Sequence, residues 1–234
     1  IDLDADGHLD LVASTNDSLH VFPGQGDGTF GPPRSSACST GPLGPGARSW
    51  ADVDDDGQLD FIVPTTQANG AVLIAHGLAS GGFGAPDTVW MAHYFTNIRM
   101  ADANADGRLD LFVYDAFGSA VSVRIAMVGG AWTPAVTCYI TEVRAVGDQD
   151  GDGRADLWSF GYENCSVWRG LGDGTFVPGP LTAPVTLMAY TEPVIADQDG
   201  DGRGDLLATA SFYNQGALVL MHSAPDGSLQ RRVT

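Results

Sequence analysis

Five times the chain writes a nine-residue acidic segment that ends in Asp and runs straight into apolar residues. The first is Asp2-Leu3-Asp4-Ala5-Asp6-Gly7-His8-Leu9-Asp10, and its counterparts span 52–60, 102–110, 148–156 and 197–205. Their first residues stand 50, 50, 46 and 49 positions apart. A period of that size marks a repeat architecture, in which each unit buries its apolar face only against its neighbours. No other feature of the chain limits the fold as strongly.

The acids point to a bound cation. Two carboxylates ~4 Å apart repel by roughly 4 kcal/mol at an effective dielectric of 20, so several converge only around a positive charge. Oxygen donors at alternate positions suit calcium. The expected side-chain ligands are positions 1, 3, 5 and 9: Asp2, Asp4, Asp6 and Asp10; Asp52, Asp54, Asp56 and Asp60; Asp102, Asn104, Asp106 and Asp110; Asp148, Asp150, Asp152 and Asp156; Asp197, Asp199, Asp201 and Asp205. The backbone carbonyl of position 7 (His8, Gln58, Arg108, Arg154, Arg203) is expected to add another, which leaves that side chain free to vary. Position 6 is Gly in every copy, as a turn with positive φ requires. Up to five calcium ions are therefore expected, with the third loop weakest because it carries the neutral Asn104. Asp55 lies at a non-ligating position.

An EF-hand needs a bidentate Glu at loop position 12. Here that position is Ala13, Val63, Val113, Ser159 or Ala208, and each sits in an apolar run too short for a helix. A short loop feeding a strand is the better reading. The apolar runs are Leu11–Ala13, Phe61–Val63, Leu111–Val113, Leu157–Trp158 and Leu206–Ala208. A turn and a second strand follow each: Leu19–Phe22, Ala71–Ala75, Val121–Ile125, Val167–Trp168 and Ala217–Leu220. Next comes a glycine-rich turn, clearest in Gly24-Gln-Gly-Asp-Gly-Thr-Phe30 and Gly170-Leu-Gly-Asp-Gly-Thr-Phe176. With no following helix and no Lys in the chain, this is a turn and not a phosphate cradle. Room remains for two further strands before the next loop. Each repeat thus reads as four short antiparallel strands, the pattern of a propeller blade. Phe30, Phe83 and Phe176 are expected to fill the space between blades.

The formal charge is −18, from 29 acids against 11 arginines, and most of the acids lie in the five loops. Five calcium ions would bring the balance to about −8, an ordinary solubility charge. No basic stripe exists to neutralise phosphates, which argues against nucleic acid. No apolar run approaches the ~20 residues of a membrane span. The chain opens inside its first motif without a signal peptide, and reads as a mature or trimmed segment. Loops of this kind in extracellular modules bind calcium at ~10⁻⁴–10⁻³ M, so the expected location is secreted, extracellular or on a cell surface. Of the three cysteines, Cys138 and Cys165 are the expected disulfide, with Cys38 left over.

The motif Asp-x-Asp-x-Asp-Gly-x-x-Asp, with Gly82-Phe83-Gly84-Ala85-Pro86 and Phe30-Gly31-Pro32, resembles the FG-GAP/VCBS repeat family. That family includes the propeller repeats of integrin α subunits, of many bacterial secreted proteins and of fungal lectins. The resemblance implies an all-β propeller with calcium in its loops. The expected fold is one domain over 1–234, a propeller of five blades, each loop linking the first and second strands of its blade. The alternative is part of a seven-bladed propeller.

Function is less constrained, because this fold serves adhesion modules, lectins and some polysaccharide-degrading enzymes. The preferred reading is a non-catalytic binding module for a glycan or an extracellular protein, with Trp90, Tyr94, Trp132, Trp168, Tyr190 and Tyr213 as aromatics able to stack on sugars. The alternatives are a polysaccharide lyase or hydrolase, or a structural spacer attached to a catalytic domain. Hydrolysis wants two placed carboxylates. Only Glu142, Glu163 and Glu192 stand beside Asp residues mostly committed to loops, and the five His residues form no spaced motif. The sequons at Asn16 and Asn164 are weak signals. Arg203-Gly204-Asp205 spells an integrin-recognised tripeptide, but Asp205 belongs to the fifth loop and is expected to face the metal.

Overall fold

The computed structural model describes residues 1–15, 17–38, 49–65, 70–91, 95–115, 119–160, 165–181, 193–212 and 215–232. Tyr94, Tyr190, Tyr213, Asn16, Asn164, Glu163 and Glu192 lie outside them. All regular elements among the described residues are strands, so no helix there is long and apolar enough to cross a membrane.

The first repeat forms β1 (Leu11–Ser14), β2 (Ser18–Phe22) and β3 (Arg34–Ala37). The second forms β4 (Ser49–Ala51), β5 (Asp60–Pro64), β6 (Ala71–Ala75), the hairpin β7 (Gly77–Leu78) and β8 (Gly82–Phe83), and β9 (Asp87–Trp90). The third holds β10 (Phe95–Ala101), β11 (Asp110–Asp115), β12 (Val121–Arg124), the hairpin β13 (Ala126–Met127) and β14 (Ala131–Trp132), and β15 (Val136–Cys138). The fourth is β16 (Val143–Gly147), β17 (Asp156–Phe160), β18 (Cys165–Gly170) and β19 (Phe176–Leu181). The fifth is β20 (Val194–Ala196), β21 (Asp205–Phe212), β22 (Gln215–Ser223) and β23 (Leu229–Arg232).

Strand order follows chain order throughout: β1-β2-β3, β4-β5-β6-β9, β16-β17-β18-β19 and β20-β21-β22-β23, all antiparallel. In the third repeat β11, β12 and β15 pair in the same way, with β10 leading in. Each acidic loop from the second onward joins the first strand of its repeat to the second. The glycine-rich turns owe their shape to an acid that caps them. Asp27, Asp173 and Asp226 accept the backbone N–H of Thr29, Thr175 and Ser228, each at 2.9 Å.

The chain divides into two compact units, Ile1–Met100 with Ala126–Ala135, and Ala101–Ile125 with Val136–Thr234. In the first unit, Leu19 and Val21 of β2 pack against Phe61, Val63, Leu73 and Phe83 of the second repeat. Trp50, Phe61 and Phe83 stack there at centroid distances of 4.8 to 6.2 Å. In the second unit one cluster joins Phe112, Val121 and Val123 to Leu157, and another joins Trp158, Phe160 and Val167 to Leu206 and Met221. β17 therefore faces two cores at once, Leu157 to one side and Trp158 to the other. Such inner strands, covered on both faces, have no solvent side to encode. This explains why the residues after the second to fifth loops read as unbroken apolar runs and not as an alternation, whereas β1 after the first loop is only partly covered.

Phe83 and Phe176 fill space between sheets, Phe176 lying 6.4 Å from Phe112. Phe30 is exposed. Its two counterparts pack on the sheet of the preceding repeat, and no sheet among the described residues covers Phe30. The expected disulfide is corrected: Cys138 and Cys165 are not bridged. Cys165 is buried in the cluster around Trp158, whereas Cys138 lies against the one around Phe112 and points its sulfur at the Gly174 carbonyl, 3.6 Å away. The two thiols serve different cores.

Candidate metal centres

Each acidic loop is folded by its own carboxylates. The position 1 acid accepts the N–H of the position 6 glycine in every copy: Asp2 from Gly7, Asp52 from Gly57, Asp102 from Gly107, Asp148 from Gly153 and Asp197 from Gly202, at 2.7 to 3.0 Å. Those glycines all have φ between 84° and 87°, the left-handed region the sequence predicts. The position 5 acids Asp6, Asp56, Asp106, Asp152 and Asp201 accept the N–H of position 7 at 2.7 to 2.9 Å.

Position 9 has a second duty. Asp10, Asp60, Asp110, Asp156 and Asp205 are all buried. One carboxylate oxygen accepts the N–H of loop position 2 (Leu3, Val53, Ala103, Gln149, Gln198) at 2.7 to 3.1 Å. The other accepts from Gly24, Gly77, Gly170 or Ser223 in the first, second, fourth and fifth repeats, at 2.8 to 3.0 Å. This acid ties the loop to the end of the second strand that follows it. Burial raises the carboxyl of Asp60 and pushes that of Asp156 up to about 7, because an ionised carboxylate loses its hydration there. By contrast, the backbone N–H of Gly202 holds Asp197 below its ordinary range.

Donor atoms within 4.8 Å of one another come together at Asp2, Asp4 and Asp6; at Asp52, Asp54 and Asp56; and at Asp148, Asp150 and Asp156. These groups could hold a metal ion. The fit is supported by oxygens that lack any donor although shielded from solvent: Oδ1 of Asp2, Asp4 and Asp54. A buried acceptor left without a partner costs about 1–3 kcal/mol, and a cation would satisfy it.

The histidines contain a pattern that their spacing in the sequence hides. His76, one residue past β6, and His222, the penultimate residue of β22, stand at the same register, each just before the residue whose N–H reaches the position 9 acid. His76 Nδ1 lies 3.1 Å from Asp54 and 3.6 Å from Asp60, and His222 Nδ1 lies 3.4 Å from Asp199 and 3.1 Å from Asp205. In the fourth repeat the same place is taken by Arg169, whose Nε is 3.3 Å from Asp150. The first repeat has Pro23 there, and Arg34 of β3 reaches Asp4 instead at 3.0 Å. The position 7 arginines also have a role: Arg108, Arg154 and Arg203 fold back onto Asp106, Asp152 and Asp201.

Asp205 is buried and held by Gln198, Ser223 and His222, while Arg203 is engaged by Asp201 and the Ser223 carbonyl. The Arg-Gly-Asp tripeptide is thus part of the loop framework and is not presented to a partner. Of the aromatics, Trp90 is exposed, while Trp132 and Trp168 are half-buried. Trp168 packs on the Phe112 cluster and donates its indole N–H to Ser159 at 3.3 Å. Tyr139, which sequence reasoning passed over, is 81% exposed.

The profile of the FG-GAP-like repeat matches residues 2–63, 52–113 and 148–208. No curated protein resembles the chain closely enough to register as a relative. Among solved structures, the chain is similar to a lectin of Agrocybe aegerita that specifically recognises non-reducing terminal N-acetylglucosamine. There the TM-score is 0.69 and the identity 24%, over 97% of this chain and 63% of the lectin. A protein from Lactobacillus plantarum is similar at TM-score 0.64 and 16% identity, over 99% of this chain and 68% of that one. The Tc holotoxin pore of Photorhabdus luminescens is similar at TM-score 0.52 and 16% identity, over 94% of this chain and 12% of the toxin. The chain spans less than two thirds of the lectin and a small part of the toxin. At these identities the likenesses concern the fold, which is an all-β propeller.

Proposed function

Because the chain belongs to the FG-GAP-like repeat family, we propose that it is a calcium-stabilised, non-catalytic binding module that works outside the cell on a glycan or an extracellular protein. One observation carries this reading. The same acidic loop recurs in all five repeats, at the junction of first and second strands in those from the second onward, and positions 1, 5 and 9 use the same backbone hydrogen bonds in every copy. A metal needed everywhere in this way reinforces a scaffold; a catalytic metal is needed once. In each loop, positions 1, 3, 5 and 9 would supply carboxylate or amide oxygens and position 7 its carbonyl. The ion would supply the positive charge that lets these oxygens converge. At the concentrations such loops require, the proposed location is extracellular.

The likeness to a sugar-recognising lectin favours a glycan as the ligand. Exposed Trp90 and Tyr139 offer aromatic faces on which a sugar ring could stack. Repeated weak sites would gain by avidity. A glycan array run with the calcium-loaded chain is expected to show binding to terminal amino sugars or related glycans, abolished by chelation. Binding to no sugar at all would remove the lectin form of the proposal and leave a protein ligand or a spacer role.

A further inference from the structure

The position 3 carboxylate behaves differently from the other loop acids. Positions 1, 5 and 9 accept backbone N–H groups in every repeat, whereas position 3 does so only in the third and fourth loops and, wherever it is an Asp, also faces a basic side chain supplied from outside the loop, the histidines being shared with position 9. Asp4 meets Arg34, Asp54 meets His76, Asp150 meets Arg169 and Asp199 meets His222. The third loop is the informative exception. Its position 3 is the neutral Asn104, and the residue at the register of His76, Arg169 and His222 is Ile125. Among the described residues, charge at position 3 and a basic partner occur together or not at all.

We infer that the arginines built around the loops compete with the cation for the same carboxylates and so grade the five affinities. The inference rests on the reading that the loops hold calcium. The second loop has four ligand acids and the additional Asp55, and among the described residues no arginine stands on them. The first and fifth each set four acids against one arginine, Arg34 or Arg203. The fourth sets four acids against two, Arg154 and Arg169, and the third sets three against Arg108. Net negative charge therefore falls in the order second, then first and fifth, then third and fourth, and affinity for a hard divalent ion follows ligand charge. The unpartnered shielded oxygens of Asp2, Asp4 and Asp54 belong to the first two loops, which carry one arginine and none among the described residues. The order uses the arginines alone, since a guanidinium keeps its charge at any working pH.

The position 6 glycines give one reporter per loop. The full chain, stripped of metal and labelled with ¹⁵N, is titrated with calcium while the amides of Gly7, Gly57, Gly107, Gly153 and Gly202 are followed. Gly57 is expected to respond at the lowest concentration, Gly7 and Gly202 next, and Gly107 and Gly153 last. Arg169→Gln is expected to lower the Gly153 midpoint on the order of tenfold, the effect of removing one positive charge a few ångströms from a divalent ion. The Gly57 midpoint should stay in place, and Arg169→Lys should keep Gly153 near its original midpoint. A merely structural role for Arg169 would instead weaken binding in the Gln variant. Equal midpoints at all five glycines, or a Gly153 midpoint unmoved or raised by Arg169→Gln, overturn the inference while leaving calcium binding intact. No response at any glycine overturns the calcium reading together with it.

Discussion

Position 4 of every acidic loop turns left-handed, and only two of the five copies use glycine for it. Ala5, Asp55 and Ala105 sit at φ 57°, 64° and 63°, beside Gly151 and Gly200 at 81° and 80°. A side chain there costs roughly 1–2 kcal/mol, against roughly 0.5–1 kcal/mol for the extra freedom glycine has when unfolded. Ala105→Gly is therefore expected to stabilise the chain by about 0.5–1 kcal/mol in urea unfolding, the reverse of the usual result. A loss of stability would show that the alanine is not strained. The thiol of Cys165 is pushed up to about 12 by burial. The folded state thus holds its proton where the unfolded state, with an ordinary value near 9, would release it. That contribution to stability is complete below pH about 9 and is lost as pH rises toward 12. Cys165 is expected to resist iodoacetamide at pH 8 until the chain is unfolded; rapid alkylation of the native protein would contradict its burial.

At the scale of the strand and its loop, close backbone approach does what side chains cannot. A Cβ on Gly24, Gly77 or Gly170 would stand 2.3, 2.5 or 2.4 Å from the carbonyl oxygen of Leu9, Leu59 or Ala155. The chain must come this near for the glycine N–H to reach the position 9 acid. Gly77→Ala is expected to destabilise by about 1–3 kcal/mol, since a backbone carbonyl cannot move aside as a side chain can. An unchanged denaturation midpoint would show that the turn can shift. The fourth and fifth loops are also joined to their predecessors by backbone hydrogen bonds: Ala155 N–H to the Asp102 carbonyl and Gly204 N–H to the Asp148 carbonyl, each 2.7 Å. A Cβ on Gly204 would lie 2.6 Å from the Asp148 carbonyl oxygen.

For the whole molecule, five candidate metal loops and, within each unit, cores shared between successive sheets make stability a collective property. If calcium binds the folded chain and not the unfolded one, saturation at about 1,000 times the dissociation constant adds about 4 kcal/mol per site. Excess EGTA is expected to lower the melting temperature substantially in calcium-free buffer. An unmoved melting temperature would refute a structural role for the ion. Within the second unit, Trp158 is fully buried between the fourth and fifth sheets, and Trp158→Ala is expected to cost about 3–5 kcal/mol in chemical denaturation.

The sequence by itself determined the repeat, the strands flanking each loop and the left-handed glycine at position 6. These depend on spacing and on local conformational limits that a few neighbouring residues enforce. It also marked the loop acids, because carboxylates packed so densely have few other uses. Only the tertiary structure decided that position 9 is a buried clamp, that Cys138 and Cys165 face different cores, and that His76, Arg169 and His222 share one place. Their distances along the chain from the preceding loop differ because strands and turns vary in length between repeats. Register across a sheet removes that variation, since hydrogen bonding fixes which residues lie side by side whatever the length of chain between them.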